Sequence, residues 1–322
     1  MPAGAGVADP TALNYAEQYS RALANAFPYS LYFGALYATP TTGRYKFIDA
    51  KTIKIPRITT TGRVNASRDT IATAARNYDN SWETKTLTHE RKWSTLVHPM
   101  DIDQTNLVTT IANITQTFNE FQKFPEMDAY TISKIYTDWT TDVAGEGYTG
   151  KTADDTALSA DNILSVFDKL MLKMDNARVP VTGRILYVTN EVKSILKNAQ
   201  IDANNTLSRQ INVETGPNGI DRRVNRLDEV QIVGVPAELM KTKYNFTSGW
   251  AVAGDAKQIN MMLIHPLVVL TPVSYAFANL SAPSALSEGK WVYYEESFED
   301  VFILNNQADG IQFNVTNAGP SF

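Results

Sequence analysis

An α+β fold carrying an inserted α/β unit is predicted by three observations on this 322-residue chain. A Thr-rich, β-branched stretch from about Pro40 to Val97 has few consecutive large apolar residues, so it forms strands that cannot bury a core of their own. Two amphipathic helical stripes follow it. Beyond them, helix and strand patterns alternate over residues 155–285, and strict strand alternation returns at 290–316. The order is a β-arm, a long helical segment, an α/β insertion and closing strands.

Each element has its own signal. Leu13, Ala16, Tyr19, Leu23 and Phe27 recur at threes and fours, which predicts a helix stopped by Pro28. The residues before it, rich in Gly, Ala and Pro, read as an arm. The Lys51–Ile55 alternation and the Thr runs at 41–42 and 59–61 predict hairpin strands. Leu107, Ile111, Ile114, Phe118 and Phe121 form a narrow apolar seam with Asp103 as the expected N-cap. Pro125 is expected to restart a second helix, with Glu126 and Asp128 at its positive end. Its stripe is Ile132, Ile135, Tyr136, Trp139 and Val143, and Gly145, Gly147 and Gly150 end it. Ser159 is expected to cap a helix bearing Ile163, Phe167, Leu170 and Met174 on one face. Arg184–Thr189, Val230–Val235 and Trp250–Ala253 read as strands, and Glu191–Ala199 as a short helix. In Ile311–Thr316 the apolar residues all fall on one face.

Composition narrows the function. Apolar residues make up 43% of the chain, enough for a sizeable core. With 29 Lys and Arg against 34 Asp and Glu, the net charge of -5 excludes a globally basic nucleic-acid binder. Cys is absent, which removes disulfide scaffolds, thiolate metal sites and cysteine nucleophiles. Met1–Asp9 has neither the basic residues nor the apolar stretch of a secretory signal. Asn260, His265 and Pro266 break the most apolar later stretch, so no transmembrane helix is expected. The six Asn-X-Ser/Thr sequons, at Asn65, Asn113, Asn204, Asn245, Asn279 and Asn314, read as a by-product of Asn- and Thr-rich composition.

No catalytic, cofactor or metal site is predicted. The three histidines, His89, His98 and His265, are scattered, and His98 reads as a packed or edge-strand residue. Nucleophile-elbow, phosphate-loop and dinucleotide motifs are missing. Asp101 and Asp103 supply two carboxylates where a divalent cation needs more, and they read as a strand end and a helix cap. Glu295 and Glu296 point to opposite faces of a strand, so they do not form an acid/base pair.

Charge distribution is the positive signal. Residues 41–100 hold 11 Lys and Arg and 5 Asp and Glu, a net of +6, which leaves -11 for the remainder. Residues 281–322 hold one basic and six acidic residues, a net of -5. A basic arm lying across the acidic strands of an identical neighbour is electrostatically favourable, although a solvated hairpin face accounts for the charge equally well. Such a contact joins different patches and propagates into rings or shells.

The run RNYDNSWETKTLTHERKW at Arg76–Trp93, followed by Val97–Asn106, resembles the major capsid proteins of tailed bacteriophages of the Hong Kong 97 type, from phages of Gram-positive hosts. Phe121–Tyr130, Gly183–Thr189 and Leu227–Pro236 agree in the same order. The resemblance implies an N-terminal arm at 1–38, exchanged with neighbours, and an extended β-hairpin loop at 39–97. It implies a peripheral domain at 98–154 and 286–322 with a spine helix near 125–143, and an axial domain at 155–285. The implied inter-subunit residues of the loop are Arg63, Arg68, Arg76, Trp82, Lys85, Arg91, Lys92 and Trp93, and the implied spine-helix core is Ile132, Tyr136 and Trp139.

The implied function is self-assembly into pentamers and hexamers of an icosahedral shell, formed in the host cytoplasm and retained in the virion. The implied partners are copies of the same chain together with portal, scaffold and head-completion proteins. Double-stranded DNA would be enclosed without specific binding, and no membrane or cofactor is involved. Fewer than 40 residues precede the arm hairpin, too few for the cleaved scaffolding segment that some relatives carry. Some relatives crosslink a loop Lys to a neighbour's Asn, but nothing distinguishes Lys85 or Lys92 for that role, and no crosslink is expected. An encapsulin-like nanocompartment shares the implied fold and would differ in binding a cargo peptide. A surface adhesin, suggested by the Thr- and Asn-rich strands, lacks the signal peptide it would need.

Overall fold

The structure, a computed structural model, describes residues 29–37, 45–63, 65, 76–104, 110–143, 148–199, 224–317 and 319. The expected helix at Leu13–Phe27, together with Leu107, Gly145 and Gly147, lies outside the described residues. Two compact units are present, one made mainly of Glu90–Pro125 and Tyr275–Ser297, the other of Leu31–His89, Glu126–Ser274 and Phe298–Phe322. Among the described residues no helix is long and apolar enough to cross a membrane.

The larger unit is built on a five-stranded sheet. Its strands are β5 (Ile185–Thr189), β6 (Arg226–Leu227), β7 (Val230–Val235), β10 (Gln258–Ile264) and β15 (Ile311–Thr316), in the order β15-β10-β5-β7-β6. Only β5 and β7 run parallel, and helix α6 (Asn190–Asn198) leaves β5 in the connection between them. Thr189 ends β5 and caps α6, its Oγ1 accepting the Val192 N–H at 3.3 Å. Helix α5 (Ile163–Asn176) buries Ile163, Val166, Phe167, Leu170 and Met174 in the same core cluster as Leu186, Val188, Met261 and Leu263. Its cap is Asn162 rather than Ser159. Ser159 sits a turn earlier, where its N–H donates to Asn162 Oδ1. Trp250–Ala253 contributes only β9 (Ala251–Val252), which pairs with β8 (Tyr244–Asn245) outside the main sheet.

Strand β15 pairs with β10 of the α/β unit, whereas the resemblance implies that residues 286–322 belong with the peripheral domain. The alternation is real, yet both faces are buried. Ile311, Phe313 and Val315 form one face; Gln312 and Asn314 form the other. Burial of Asn314 is offset by hydrogen bonds: its amide donates to Asp154 Oδ1 at 3.0 Å and the Thr156 carbonyl at 2.9 Å, and accepts from Asn260 at 2.9 Å.

Helix α4 (Phe124–Thr140) lays Trp139 and Tyr136 edge-on against Phe313 of β15, with centroids 5.1 and 5.3 Å away. Ile132, Ile135 and Trp139 are buried, and Tyr136 is half-buried. Trp139 Nε1 donates to the Ala308 carbonyl at 3.0 Å. The helix ends at Thr140 rather than Val143, and a Cβ on Gly150 would overlap the Thr140 carbonyl, so only glycine fits the returning chain.

His265 lies between β10 and β11 (Val269–Leu270). Its Nδ1 accepts the Leu267 N–H at 3.3 Å and its Nε2 faces the Thr182 carbonyl at 3.3 Å. Burial, reinforced by the Arg184 guanidinium, holds the imidazole below its ordinary pKa, although the Thr182 contact opposes this. A depressed folded pKa gives stability that is present above the unfolded value and lost as pH falls through the folded one. Thermal melts are therefore expected to drop between about pH 7 and about pH 5 by more in the wild-type chain than in His265→Asn, whose amide keeps the cap without titrating. Equal drops would remove His265 from the acid response.

In the smaller unit, strands β12 (Val273–Ser281), β13 (Trp291–Glu299) and β4 (Glu90–Val97) form a sheet in the order β12-β13-β4. The last two residues of β13 and the first two of β12 belong to the larger unit. Helix α2 (Pro99–Gln104) follows β4, and His98 Nδ1 accepts the Met100 N–H at 3.2 Å at its start. Asp103 thus lies inside α2 and is not the cap of the next helix. That helix, α3 (Ile111–Phe118), is capped by Thr110, whose Oγ1 accepts from Asn113 N.

Pro125 does not restart a helix. Helical conformation continues through Asn119–Lys123 as a π-turn and on into α4. Pro125 has no N–H to donate and would crowd the carbonyl four residues back; a wider turn just before it removes both conflicts.

Candidate assembly surfaces

Strand β2 (Thr52–Thr60) pairs antiparallel with β3 (Tyr78–Thr86) over nine residue pairs, from Thr52 opposite Thr86 to Thr60 opposite Tyr78, and the short β1 (Lys46–Phe47) flanks β2. Opposed residues share a face. One face carries Ile53 and Ile55, buried in a cluster with Leu87, Leu270, Phe298, Phe302 and Leu304. This anchors the root of the hairpin. The opposite face carries Pro56, Ile58, Tyr78 and Trp82, and here Ile58 is 74%, Tyr78 55% and Trp82 53% exposed. This outer face of a basic hairpin is thus half apolar and exposed.

The root is also held by polar groups. Lys85 Nζ lies 3.1 Å from Glu83 Oε1 and donates to Asn305 Oδ1 at 2.8 Å, and the Asn305 N–H donates to the same Glu83 oxygen at 3.2 Å. Glu83 is 1% exposed, and its Oε2 has no partner. Lys85 therefore serves its own chain, where the sequence reading gave it to a neighbour.

The other expected loop residues divide. Arg63 and Arg76 lie at the far end of the hairpin, where Arg76 reaches Asp79 at 3.2 Å and covers the Tyr78 ring at 5.3 Å. Arg68 lies outside the described residues. Arg91, Lys92 and Trp93 are not on the hairpin, which ends at Thr86; they belong to β4. Trp93 stacks on Phe118 at 3.9 Å and meets Tyr293 at 5.8 Å, so it is a packing residue of its own unit. Strand alternation alone does not mark where a chain leaves one sheet for another, which is why 39–97 reads as one arm.

A second uncovered face lies on β12 and β13. Tyr275 is 48% and Phe277 43% exposed, their rings parallel at 6.4 Å, and Tyr294 tilts against Phe277 at 6.3 Å. The Tyr294 hydroxyl donates to Glu296, and this hydrogen bond, followed by burial and the Glu296 charge, pushes the phenol pKa up. Glu295, on the other face of β13, pairs with Lys123 at 3.1 Å and accepts from Tyr293. The two adjacent carboxylates are thus separated by the strand.

Among the described residues, no group of three or more His, Cys, Asp or Glu could hold a metal ion. A groove lined by Ile111, Ala112, Phe124, Leu280 and Tyr293 also contains the unpartnered Thr115 Oγ1 and Asn119 Oδ1.

Solved structures with the same fold are known. The chain is similar to the mature capsid of bacteriophage PhiM1, at 12% identity over 95% of this chain and 93% of that one, with a TM-score of 0.65. It is similar to the capsid of cyanophage P-SCSP1u at 11% identity over 95% and 93%, with a TM-score of 0.62. A structure from Mycobacterium phage Che8 matches at 13% identity over 96% and 98%, with a TM-score of 0.61. No protein-family model and no curated protein matches the sequence. The chain shares a mixed helix-and-sheet fold with these phage structures along nearly its whole length.

Proposed function

We propose that this chain is the major capsid protein of a tailed phage, with the Hong Kong 97-type arrangement. In this reading residues 1–38 are an N-terminal arm, 39–89 the extended loop, 90–154 with 286–322 the peripheral domain, and 155–285 the axial domain, whose central sheet also takes in β15. Many copies form pentamers and hexamers of an icosahedral shell, assembled in the host cytoplasm and retained in the virion. The observation that carries the reading is the near end-to-end likeness to phage capsids, and the rooted basic hairpin with an uncovered apolar face supports it. The role is mechanical rather than catalytic. Modest contacts are multiplied around a closed surface, so the shell resists opening far better than one interface would. A net charge of -5 favours enclosing DNA without gripping it. Portal, scaffold and head-completion proteins are the remaining partners.

The test is light scattering and negative-stain electron microscopy of the chain expressed alone and with the genes beside its own. Closed particles or tubes are expected in at least one of the two. A chain that stays monomeric in both would overturn the reading.

A further inference from the structure

Within the larger unit, the root of the arm and the exit of the hairpin are both held by the first turns of α4. The arm root, ending in the single turn α1 (Gly34–Tyr37), buries Phe33 and Leu36 and donates the Tyr32 and Phe33 N–H groups to the Asp128 carboxylate at 2.9 and 3.1 Å. The Tyr37 hydroxyl meets Thr131 Oγ1 at 2.7 Å. Tyr130, between these two residues, serves the hairpin exit. Its ring stacks on His89 at 3.7 Å, and its hydroxyl donates to Asp300 Oδ1 at 2.7 Å. Asp300 Oδ2 accepts the Thr88 N–H at 2.8 Å and the Thr88 hydroxyl at 3.2 Å, and the Glu299 N–H donates to the His89 carbonyl at 3.2 Å. Asp128, Thr131 and Asp300 are all buried. The two sets are within electrostatic reach of each other. Burial, and after it the charges of Glu299, Asp128 and Asp300, push the Tyr37 phenol pKa up, although the Thr131 hydrogen bond opposes this.

We propose that Asp128, Tyr130, Thr131 and Asp300 couple the seating of the arm root to the holding of the hairpin exit, so that a copy offers a fixed hairpin to its neighbours only when its own arm root is seated. The coupling is a property of one chain; its consequence for assembly rests on the shell reading and adds a point of control to it. The physical reason is that neither carboxylate releases its partners at low cost. Asp128 without the Tyr32 and Phe33 N–H groups is a buried charge stripped of two charge-assisted bonds, and Asp300 without Tyr130 loses a third of the donors that hold its side chain to other segments. A buried polar network has few tolerable half-satisfied states, and here one helical turn carries a member of each set. Loosening one end therefore raises the population in which the other is loose, and by linkage the effect is equal in both directions. Two independent anchors on a rigid helix would show no such exchange.

Amide hydrogen exchange of the unassembled chain tests the coupling. Asp128→Asn keeps the side-chain shape and removes the charge. It is expected to raise exchange about tenfold at Tyr32 and Phe33 and, across α4, at Thr88 and Glu299, with β5 and β10 unchanged. Tyr130→Phe removes only the hydroxyl given to Asp300 and should produce the reciprocal result, with Tyr32 and Phe33 loosened along with Thr88. In the double variant the increase should fall short of the product of the two single effects. Exchange that rises only on the mutated side in both variants overturns the coupling and leaves the shell reading intact. If Asp128→Asn also raises exchange in β5 and β10, Tyr37→Phe, which loses only the Thr131 contact, takes its place with the same two outcomes. Particle yield, measured by electron microscopy, should fall in the order in which exchange at Thr88 rises. A variant loosened at Thr88 that assembles at the wild-type yield overturns the link to assembly. An unmodified chain that forms no particles, alone or with the genes beside its own, strikes the shell reading, and the exchange result stands without it.

Discussion

A chain carrying Arg63→Glu, Arg68→Glu and Arg76→Glu will remain a folded monomer and form no closed particles. Its fold has little to lose. Arg63 is exposed, and the one ion pair among the described members, Arg76 with Asp79, joins two exposed side chains. Such a pair contributes about 0–1 kcal/mol, so the melting temperature should shift only slightly. Assembly has much to lose. Three reversals remove six units of charge and take residues 41–100 from +6 to zero. A loss of about 1 kcal/mol at each contact is repeated at every subunit of a shell, which turns a small pairwise effect into failure to close. Circular dichroism and thermal melts check the fold, and electron microscopy checks assembly. A folded triple variant that still builds shells would remove the hairpin charge from the mechanism.

The second large effect is at the hairpin root. Replacing Lys85 by Met leaves the Glu83 carboxylate buried beside Asn305 with no cation, and one of its oxygens already lacks a partner. Breaking a buried pair from one side costs about 3–5 kcal/mol, a large fraction of the stability of a domain. The melt should fall accordingly, and amide exchange should rise along Thr52–Thr60 and Tyr78–Thr86 before it rises in the five-stranded sheet. Pairing Lys85→Met with Glu83→Leu should recover most of the loss, because an apolar pair of similar volume fits the neighbouring Ile53 and Ile55 cluster. A single variant as stable as wild type would show that the pair is solvated and does not anchor the arm.

The sequence was most informative where one periodicity ran unopposed. The stripe of α4 from Ile132 to Trp139 and the buried runs of β5 and β7 read correctly because their apolar spacing admits one burial pattern, whereas Val143 falls beyond the helix end. It was least informative at junctions. Asp103 and Ser159 are chemically good caps, yet Thr110 and Asn162 hold those positions, since which polar residue caps a helix depends on where packing lets the helix begin. Pro125 obeyed its usual rule only in part, because a π-turn upstream relieved the clash locally.

The surfaces divide in the same way. A basic, poorly apolar hairpin was legible, because composition and charge are sums over sequence. That Trp82 faces outward while Lys85 is held at the root followed from nine residue pairs in one register, and a shift of one residue would have exchanged their faces. Trp93 was assigned to the arm because β3 and β4 alternate alike; its stacking on Phe118 places it in another sheet. The aromatic face of Tyr275, Phe277 and Tyr294 was missed altogether, since two strands form it and neither shows it alone.

The sequence by itself determined the order of elements, the lack of thiol chemistry and the division of charge between arm and closing strands, all of which depend on composition and local spacing. Only the tertiary structure decided which strands share a sheet, which face of the hairpin is left uncovered and which charges are used within the chain. Those depend on hydrogen bonds and side-chain contacts between residues up to about 220 positions apart, as between Lys85 and Asn305, and no local pattern encodes them.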